Sequence, residues 1–210
     1  MVKNSALVKS MVEMERAQLG EAGEDLLFRK ARTQNNFLDL PIENDRLRKL
    51  YDLMKWAPTS SNCNPIRIVF LTTPEAKSRL EPCVFEGNIE KVRAAPVTAV
   101  LGHDQEFWEH LPRLFPHKEV KPFFEKNEIA SQIAAFRNGS LQGGYFILAA
   151  RAVGLDCGPL SGFDNAAVDK EFFAGTHIKS NFLCNLGYGD GSKLFDRNPR
   201  FDFEEICQVL

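Results

Sequence analysis

The sequence predicts one helix-rich domain of the α/β or α+β class. Helical patterns outnumber strand-like runs, the strand-like runs are separated by helices, and 210 residues with 44% hydrophobic content suffice for one sizeable core. Even spacing of many short strands, which a sandwich needs, is absent. No internal repeat or low-complexity stretch breaks the chain into smaller units.

In chain order, residues 1–27 read as an N-terminal arm, where Met11, Met14 and Leu19 give only an irregular helical spacing. From Asn44 the pattern sharpens. Asn44 or Asp45 can cap a helix whose Leu47, Leu50, Tyr51 and Met54 share a face, and Pro58 closes it. Pro58 to Pro65 is a loop rich in hydrogen-bonding side chains, and Ile66–Leu71 follows as a strand. A second strand, 97–101, begins after Pro96. Prolines 112, 116 and 122 forbid one long helix between Gly102 and Asn127, so short helices and a mobile excursion carrying Phe107, Trp108, Phe115, Phe123 and Phe124 are expected. Residues 129–153 form the longest helical pattern, with Ile129, Ile133, Phe136, Tyr145, Leu148 and Ala152 as its apolar positions and Gly154 as its stop. Gly139, Gly143 and Gly144 cost that helix about 1 kcal/mol each, which makes sense if it lies close against another backbone or a flat ligand. Gly158–Phe163 reads as a ligand-facing loop with a backbone path set by two glycines and a proline. Residues 180–186 make a third strand, and a polar tail ends the chain.

Charge excludes some functions. The formal net charge is -2 with both signs interspersed, so no basic stripe stands ready to displace counterions from a nucleic acid. No apolar run approaches the roughly 20 residues of a membrane-spanning helix, and the first 20 residues lack a signal peptide's apolar segment. The expectation is a cytoplasmic protein. Its five cysteines stand singly, without a CxxC pair, as core residues in a reducing compartment do. Cys63, in the polar loop, is the exception.

Four segments could build one site. Arg29 to Asn36 clusters cations with hydroxyl and amide groups; the Thr59–Asn64 loop, the Gly158–Phe163 turn and the basic tail with Lys193, Arg197 and Arg200 supply the rest. Separated guanidinium clusters with donor-rich loops between them suit an anionic ligand that has a planar polar head. Histidines 103, 110 and 117 recur every seven residues, but the prolines break any shared helix face and no HExxH-type pattern occurs, so no metal is expected.

The order and wording of these segments go further. Ala31-Arg-Thr33, Pro58-Thr-Ser-Ser-Asn62, Asn64-Pro65 before a strand, Gly154-Leu-Asp-Cys-Gly-Pro-Leu-Ser-Gly-Phe-Asp164, Leu186-Gly-Tyr-Gly-Asp190 and Arg197-Asn-Pro-Arg200 before Phe203-Glu-Glu-Ile206 resemble the nitroreductase family of flavoproteins, over residues 28–210. Met54-Lys-Trp-Ala-Pro-Thr-Ser-Ser-Asn-Cys63, Leu114-Phe-Pro-His117, Ala135-Phe-Arg-Asn138, Lys179-Ser-Asn-Phe-Leu183 and Gly187-Tyr-Gly-Asp-Gly-Ser-Lys-Leu194 are most like that family's malonic semialdehyde reductase branch, of pyrimidine (uracil) degradation.

The resemblance implies a mostly antiparallel sheet flanked by helices, an intertwined homodimer, and non-covalent FMN bound between subunits, with NADH or NADPH as hydride donor. It places Arg32 and Arg200 on the FMN phosphate, assisted by Lys193 or Arg197, with Thr33 and Asn35 beside them. Ser60, Ser61 and Asn62 would reach the flavin from the partner subunit. Asn88 would read the flavin's pyrimidine edge and Lys91 would sit near N1 and O2, where reduction places negative charge. Pro159, Leu160, Ser161 and Gly162 would pack beside the ring, offering a backbone N–H to N5 and O4. Two positions depart from the family's pattern: Ala31 and Asn35 stand where cations are common, which leaves more to Arg32 and Lys91.

Three functions compete. The first reduces malonic semialdehyde to 3-hydroxypropionate, which needs a cation for the substrate carboxylate; His117 and Arg137 are the candidates, and no catalytic acid–base residue is required. The second is a broad NAD(P)H nitro- or quinone reductase with an open apolar pocket. The third is a flavin-binding protein without redox turnover.

Overall fold

Strand pairing settles the class as α+β. In this computed structural model, which describes residues 17–210, four strands form one sheet of order β1-β2-β4-β3, and every neighbouring pair is antiparallel. The strands are β1 (Ile66–Leu71), β2 (Val97–Asp104), β3 (Asp156–Leu160) and β4 (Ile178–Gly187). β1 matches its predicted bounds, while β2 and β4 run past theirs.

β3 was not foreseen as a strand. Its Gly158-Pro159 wording reads as a turn, but the strand is an edge, where a proline without an N–H is tolerated. A neighbouring segment then closes on it: Thr33 bridges Cys157 in parallel, and the Gln34 N–H donates to the Cys157 carbonyl at 2.9 Å. A Cβ on Gly158 would lie 2.4 Å from the Gln34 carbonyl oxygen, so only glycine fits there.

Period-two alternation divides the core between the two sheet faces. Val97, Ala99, Leu101, Cys184 and Leu186 point into one cluster, with Leu47, Leu50, Met54, Phe146 and Ala150. Val100 and Leu183 point into the other, with Leu80, Val84, Val92, Val168 and Phe173. The second face is covered by α3 (Pro74–Leu80), α4 (Glu86–Ala94) and α8 (Asn165–Phe172), and the first by α2 (Asn44–Met54) and α7 (Glu128–Ala152). Before α2, α1 (Glu21–Glu24) runs into a π-helical turn, Asp25–Arg29, with Phe28 exposed. The expected helical spacing of Met11 and Met14 lies outside the described residues.

α2 begins where expected, but its cap position is Glu43, with no side-chain cap bond, and Tyr51 is exposed rather than buried with Leu47, Leu50 and Met54. The aromatic segment forms a 3-10 turn (Phe107–His110), α5 (Leu111–Leu114) and α6 (Lys121–Glu125). Phe107 and Leu111 are buried with Cys63 and Ala135 in a third cluster, so the segment is packed on the body of the protein rather than standing off it.

α7 inverts its predicted orientation. Ile129, Ile133, Phe136, Leu141 and Tyr145 are exposed, while Ser131, Asn138, Gly139, Gln142 and Gly143 are buried. The glycines explain this. A Cβ at Gly139 would lie 2.8 Å from the His103 Cβ, and one at Gly143 would lie 2.5 Å from the Phe182 ring, so bare backbone lets the helix settle on the sheet. Gly144 faces open space and plays no part in that approach. Asn127 caps the helix by accepting from the Ala130 N–H at 3.0 Å, and Gly154, at φ +80°, ends it.

Gly139→Val forces a branched side chain into that contact. It is expected to destabilise the protein by about 2–3 kcal/mol, read as an unchanged urea m-value with a lower unfolding midpoint; wild-type stability would disprove the close-packing argument.

Candidate active site

The Pro58–Pro65 loop is wound by three non-glycine residues in the left-handed region: Ser61 (φ 51°), Asn62 (φ 48°) and Asn64 (φ 41°). Such strain persists only when surrounding bonds hold it, and the polar face of α7 supplies them. Asn138 Oδ1 accepts from the Ser60 N–H at 2.9 Å, Gln142 Oε1 accepts from the Ile66 N–H at 3.0 Å, and Gln142 Nε2 donates to Asn64 Oδ1 at 3.1 Å. Asn62 Nδ2 donates to the Leu114 carbonyl at 2.8 Å. Asn138 and Gln142, buried on α7, are therefore loop-binding groups, while Ser131 donates to the Gln105 carbonyl. Cys63, singled out for its polar surroundings, is only 1% exposed, and burial pushes its thiol up to about 11, which makes it a core residue rather than a nucleophile.

A second cluster joins α4 to the end of β3. Lys91 Nζ donates to Asn88 Oδ1 at 2.9 Å, and Asn88 Nδ2 donates to the Gly162 carbonyl at 3.2 Å. The Phe85 N–H reaches the same carbonyl at 3.0 Å. Beneath them, buried Thr98 Oγ1 donates to Asn185 Oδ1 at 2.7 Å, and Asn185 Nδ2 donates to the Lys91 carbonyl at 2.9 Å. Asn185 pins this end of α4 to the sheet and was not singled out from the sequence, although a polar residue at an inward β4 position was the available signal. Pro159 and Leu160 end β3 next to this cluster, and Ser161 and Gly162 follow.

The third part is a cavity of about 500 Å³, bordered by Arg32, Thr33, Asn35, Arg197 and Arg200 together with Arg151, Phe28, Phe195 and Asp196. Its arginines are tied to backbone carbonyls. Arg32 donates to Phe195, Arg197 to Arg29 (2.7 Å) and Ala31 (3.1 Å), Arg200 to Asn198 and Pro199, and Arg151 to Leu27 (3.1 Å). Among the described residues none of the four forms an ion pair with a carboxylate, Asp196 included, whereas Arg29, Arg67, Arg79 and Arg93 all do. Four uncompensated guanidinium groups around one space repel one another and favour an anion. Lys193 does not border the cavity; its Nζ lies 3.5 Å from Asp190 Oδ2. Arg151 was missed because a basic residue in a helix's last turn ordinarily reads as a partner of the helix dipole.

Within one subunit, Ser60, Ser61 and Asn62 do not border this cavity. Nor do the two suggested substrate contacts meet. His117 is exposed, edge-on to Phe115 at 5.8 Å, whereas Arg137 lines a recess with His103, Gln105 and Phe136. His103 is buried, its Nδ1 has no hydrogen-bond partner among the described residues, and burial lowers its pKa. His110 lines a different recess, with Arg113 and Trp56, so the seven-residue spacing of the three histidines gathers nothing.

Residues 28–188 match the model of the Nitroreductase family. A protein of Cupriavidus pinatubonensis named "Putative NADH dehydrogenase/NAD(P)H nitroreductase" is 55% identical over 188 residues, 88% of this chain and 96% of that protein. One of the same name from Stenotrophomonas maltophilia is 57% identical over 191 residues, 91% and 97% of the two chains. Among solved structures, a nitroreductase family protein of Streptococcus pneumoniae superposes with TM-score 0.73 at 21% identity, covering 88% and 98%. A "putative nitroreductase in complex with FMN" from Exiguobacterium sibiricum superposes with TM-score 0.80 at 17% identity, covering 93% and 100%. These two likenesses concern the fold. The chain belongs to the nitroreductase family.

Proposed function

We propose that this nitroreductase is an FMN-dependent NAD(P)H oxidoreductase acting as a homodimer, and that its hydride acceptor is a short aldehyde acid, malonic semialdehyde. The observation that carries the cofactor reading is the cavity of four arginines without carboxylate partners. Its donor set fits a dianionic phosphate, which accepts paired guanidinium bonds. The relatives' names support a nicotinamide donor, and the FMN complex of the Exiguobacterium protein is consistent with the cofactor.

On this reading Arg32, Arg197 and Arg200 hold the phosphate, with Thr33 and Asn35 beside them and Lys193 nearby on the tail. The bound flavin supplies hydride transfer at N5. Lys91 places a positive charge over the end of β3, and Asn88 fixes that ammonium at 2.9 Å, so the protein compensates the negative charge that accompanies reduction. Pro159, Leu160, Ser161 and Gly162 form the adjoining wall and offer backbone N–H groups. Ser60, Ser61 and Asn62, absent from the subunit's own cavity, are presented to the partner's site. The apolar row Ile129, Ile133 and Phe136 on α7 and the exposed tail residues Phe195, Phe201 and Phe203 are surfaces for that association. Arg137, without an ion pair among the described residues, is the cation offered to the substrate carboxylate, and His117 stays a candidate contact from its loop. The relatives' names favour a second acceptor class, nitroarenes and quinones, which need no cation.

The purified protein is expected to be yellow and to bleach with NADH or NADPH without oxygen. A kcat/KM for malonic semialdehyde at least about tenfold above that for a nitroarene or quinone, some 1.4 kcal/mol of discrimination, is the expected result. Equal or reversed preference transfers the assignment to the nitro- or quinone reductase reading.

Lys91→Ala removes a cation near the reducible ring and should lower the flavin's reduction potential. The fall is about 30 mV for each 1.4 kcal/mol of lost stabilisation in a two-electron couple. An unchanged midpoint in a redox titration would remove Lys91 from this role.

Phe136→Asp sets a charge in the apolar row. Light scattering is expected to report a dimer for the wild type and a monomer for the variant; a dimeric variant would exclude this face as the interface.

A further inference from the structure

We propose that Arg151 is a direct phosphate ligand in the arginine cavity and the residue that most sharply selects a phosphorylated flavin over the free one; the assignment rests on the cofactor reading above. Arg151 lies in the last turn of α7, half-buried, at the border of the cavity that Arg32, Arg197 and Arg200 share.

The ordinary role for such a residue is already filled. Three of the last four carbonyls of α7 accept from backbone: Val153 N–H donates to Ala149, Leu155 N–H to Ala150 and Gly154 N–H to Arg151. The Arg151 side chain instead reaches a separate segment, where its Nη1 donates to the Leu27 carbonyl at 3.1 Å. Among the described residues its Nε and Nη2 have no hydrogen-bond partner and no carboxylate lies within ion-pair reach. A guanidinium carries five donors in a rigid fork, so one nitrogen anchored to a carbonyl leaves the other edge for an anion.

Its support also differs from that of its neighbours. Arg32, Arg197 and Arg200 stand on segments without regular secondary structure. Arg151 stands on a 25-residue helix seated on the sheet by Gly139 and Gly143. A charge on a rigid element loses little freedom when a ligand arrives, and so returns more of its interaction as affinity. The bond to Leu27 has a second consequence: it holds the start of the 27–35 segment, which carries Arg32, against the same fixed point. A merely tethering role would act through Arg32, so in an Arg32→Gln background Arg151→Gln would cost FMN nothing further, whereas a direct phosphate ligand costs it affinity there too.

The test strips flavin from the purified protein and titrates FMN and riboflavin separately, reading the quenching of flavin fluorescence, for wild type, Arg151→Gln, Arg151→Lys, Arg32→Gln and the two glutamine substitutions combined. Arg151→Gln is expected to weaken FMN by at least about tenfold, as loss of a charged hydrogen bond does, and to leave riboflavin within about twofold. Arg151→Lys keeps the charge but not the fork, so a smaller loss again confined to FMN is expected. It carries the test if circular dichroism shows that the glutamine variant does not fold. Equal losses for both flavins, or no loss, overturn the assignment. If Arg32→Gln loses its preference for FMN while Arg151→Gln keeps it, Arg151 alone is wrong. If the wild type binds the two flavins equally, the phosphate reading of the cavity fails with it.

Discussion

The contact on which the rest depends is the seating of α7 directly on the sheet. Gly139 over His103 and Gly143 over Phe182 bring the helix closer than any side chain would allow, and that approach commits all its faces at once. The small-residue stripe goes to the sheet, and Phe146, Ala149 and Ala150 complete the core beneath it. Asn138 and Gln142, just beside the stripe, are thereby aimed at the Ser60–Ile66 backbone. The apolar row is left outside, and the helix's last turn delivers Arg151 to the cavity of arginines. A shift of the helix along the sheet would misplace the loop and the cation together.

Much of the architecture was legible because it rests on local pattern. The bounds of β1, the short proline-interrupted helices after β2 and the Gly154 stop follow from a run of β-prone residues, proline and left-handed glycine, each a rule about neighbouring residues. What failed depends on partners distant in sequence. β3 reads as a turn until β4 and the Thr33–Gln34 segment are there to pair with it. The outward face of α7 looks like a core face because apolar residues are assumed to point inward; its polar residues prefer the interior here only because a strained loop waits there to be bonded. Of the residues in the two clusters, Asn88, Lys91 and Gly162 were singled out by resemblance, and Arg32, Arg197 and Arg200 by charge and resemblance together. Asn185 and Arg151 were not, since one acts through buried hydrogen bonds and the other looks like a helix-end cation.

The cavity and the α4 cluster solve two electrostatic problems differently. Around the cavity, carbonyl oxygens fix each guanidinium without neutralising it, so orientation is obtained while the charge stays available. An anion bound there relieves repulsion among four cations and stabilises the native state by mass action. At α4 a single ammonium is held by a neutral amide, itself held by the Gly162 carbonyl, and the helix end is pinned by Asn185 from the sheet. That chain of neutral hydrogen bonds positions Lys91 without a carboxylate that would cancel its field. Both devices keep positive charge uncompensated, as stabilising negative charge on a ligand requires.

If the outward row of α7 is the subunit interface, association and site geometry share one element. The residues that would meet a partner, Ile133 and Phe136, lie within one or two turns of Asn138, whose side-chain Oδ1 holds the Ser60 N–H. Burying that row restrains the helix, and restraining the helix restrains the loop that it bonds. The strain stored at Ser61, Asn62 and Asn64 is then borne by the dimer rather than by the loop alone. Subunit contact would thus do more than add surface: it would hold in place the donors that each subunit lends to the other, and a weakened interface would be felt first as a loosened site.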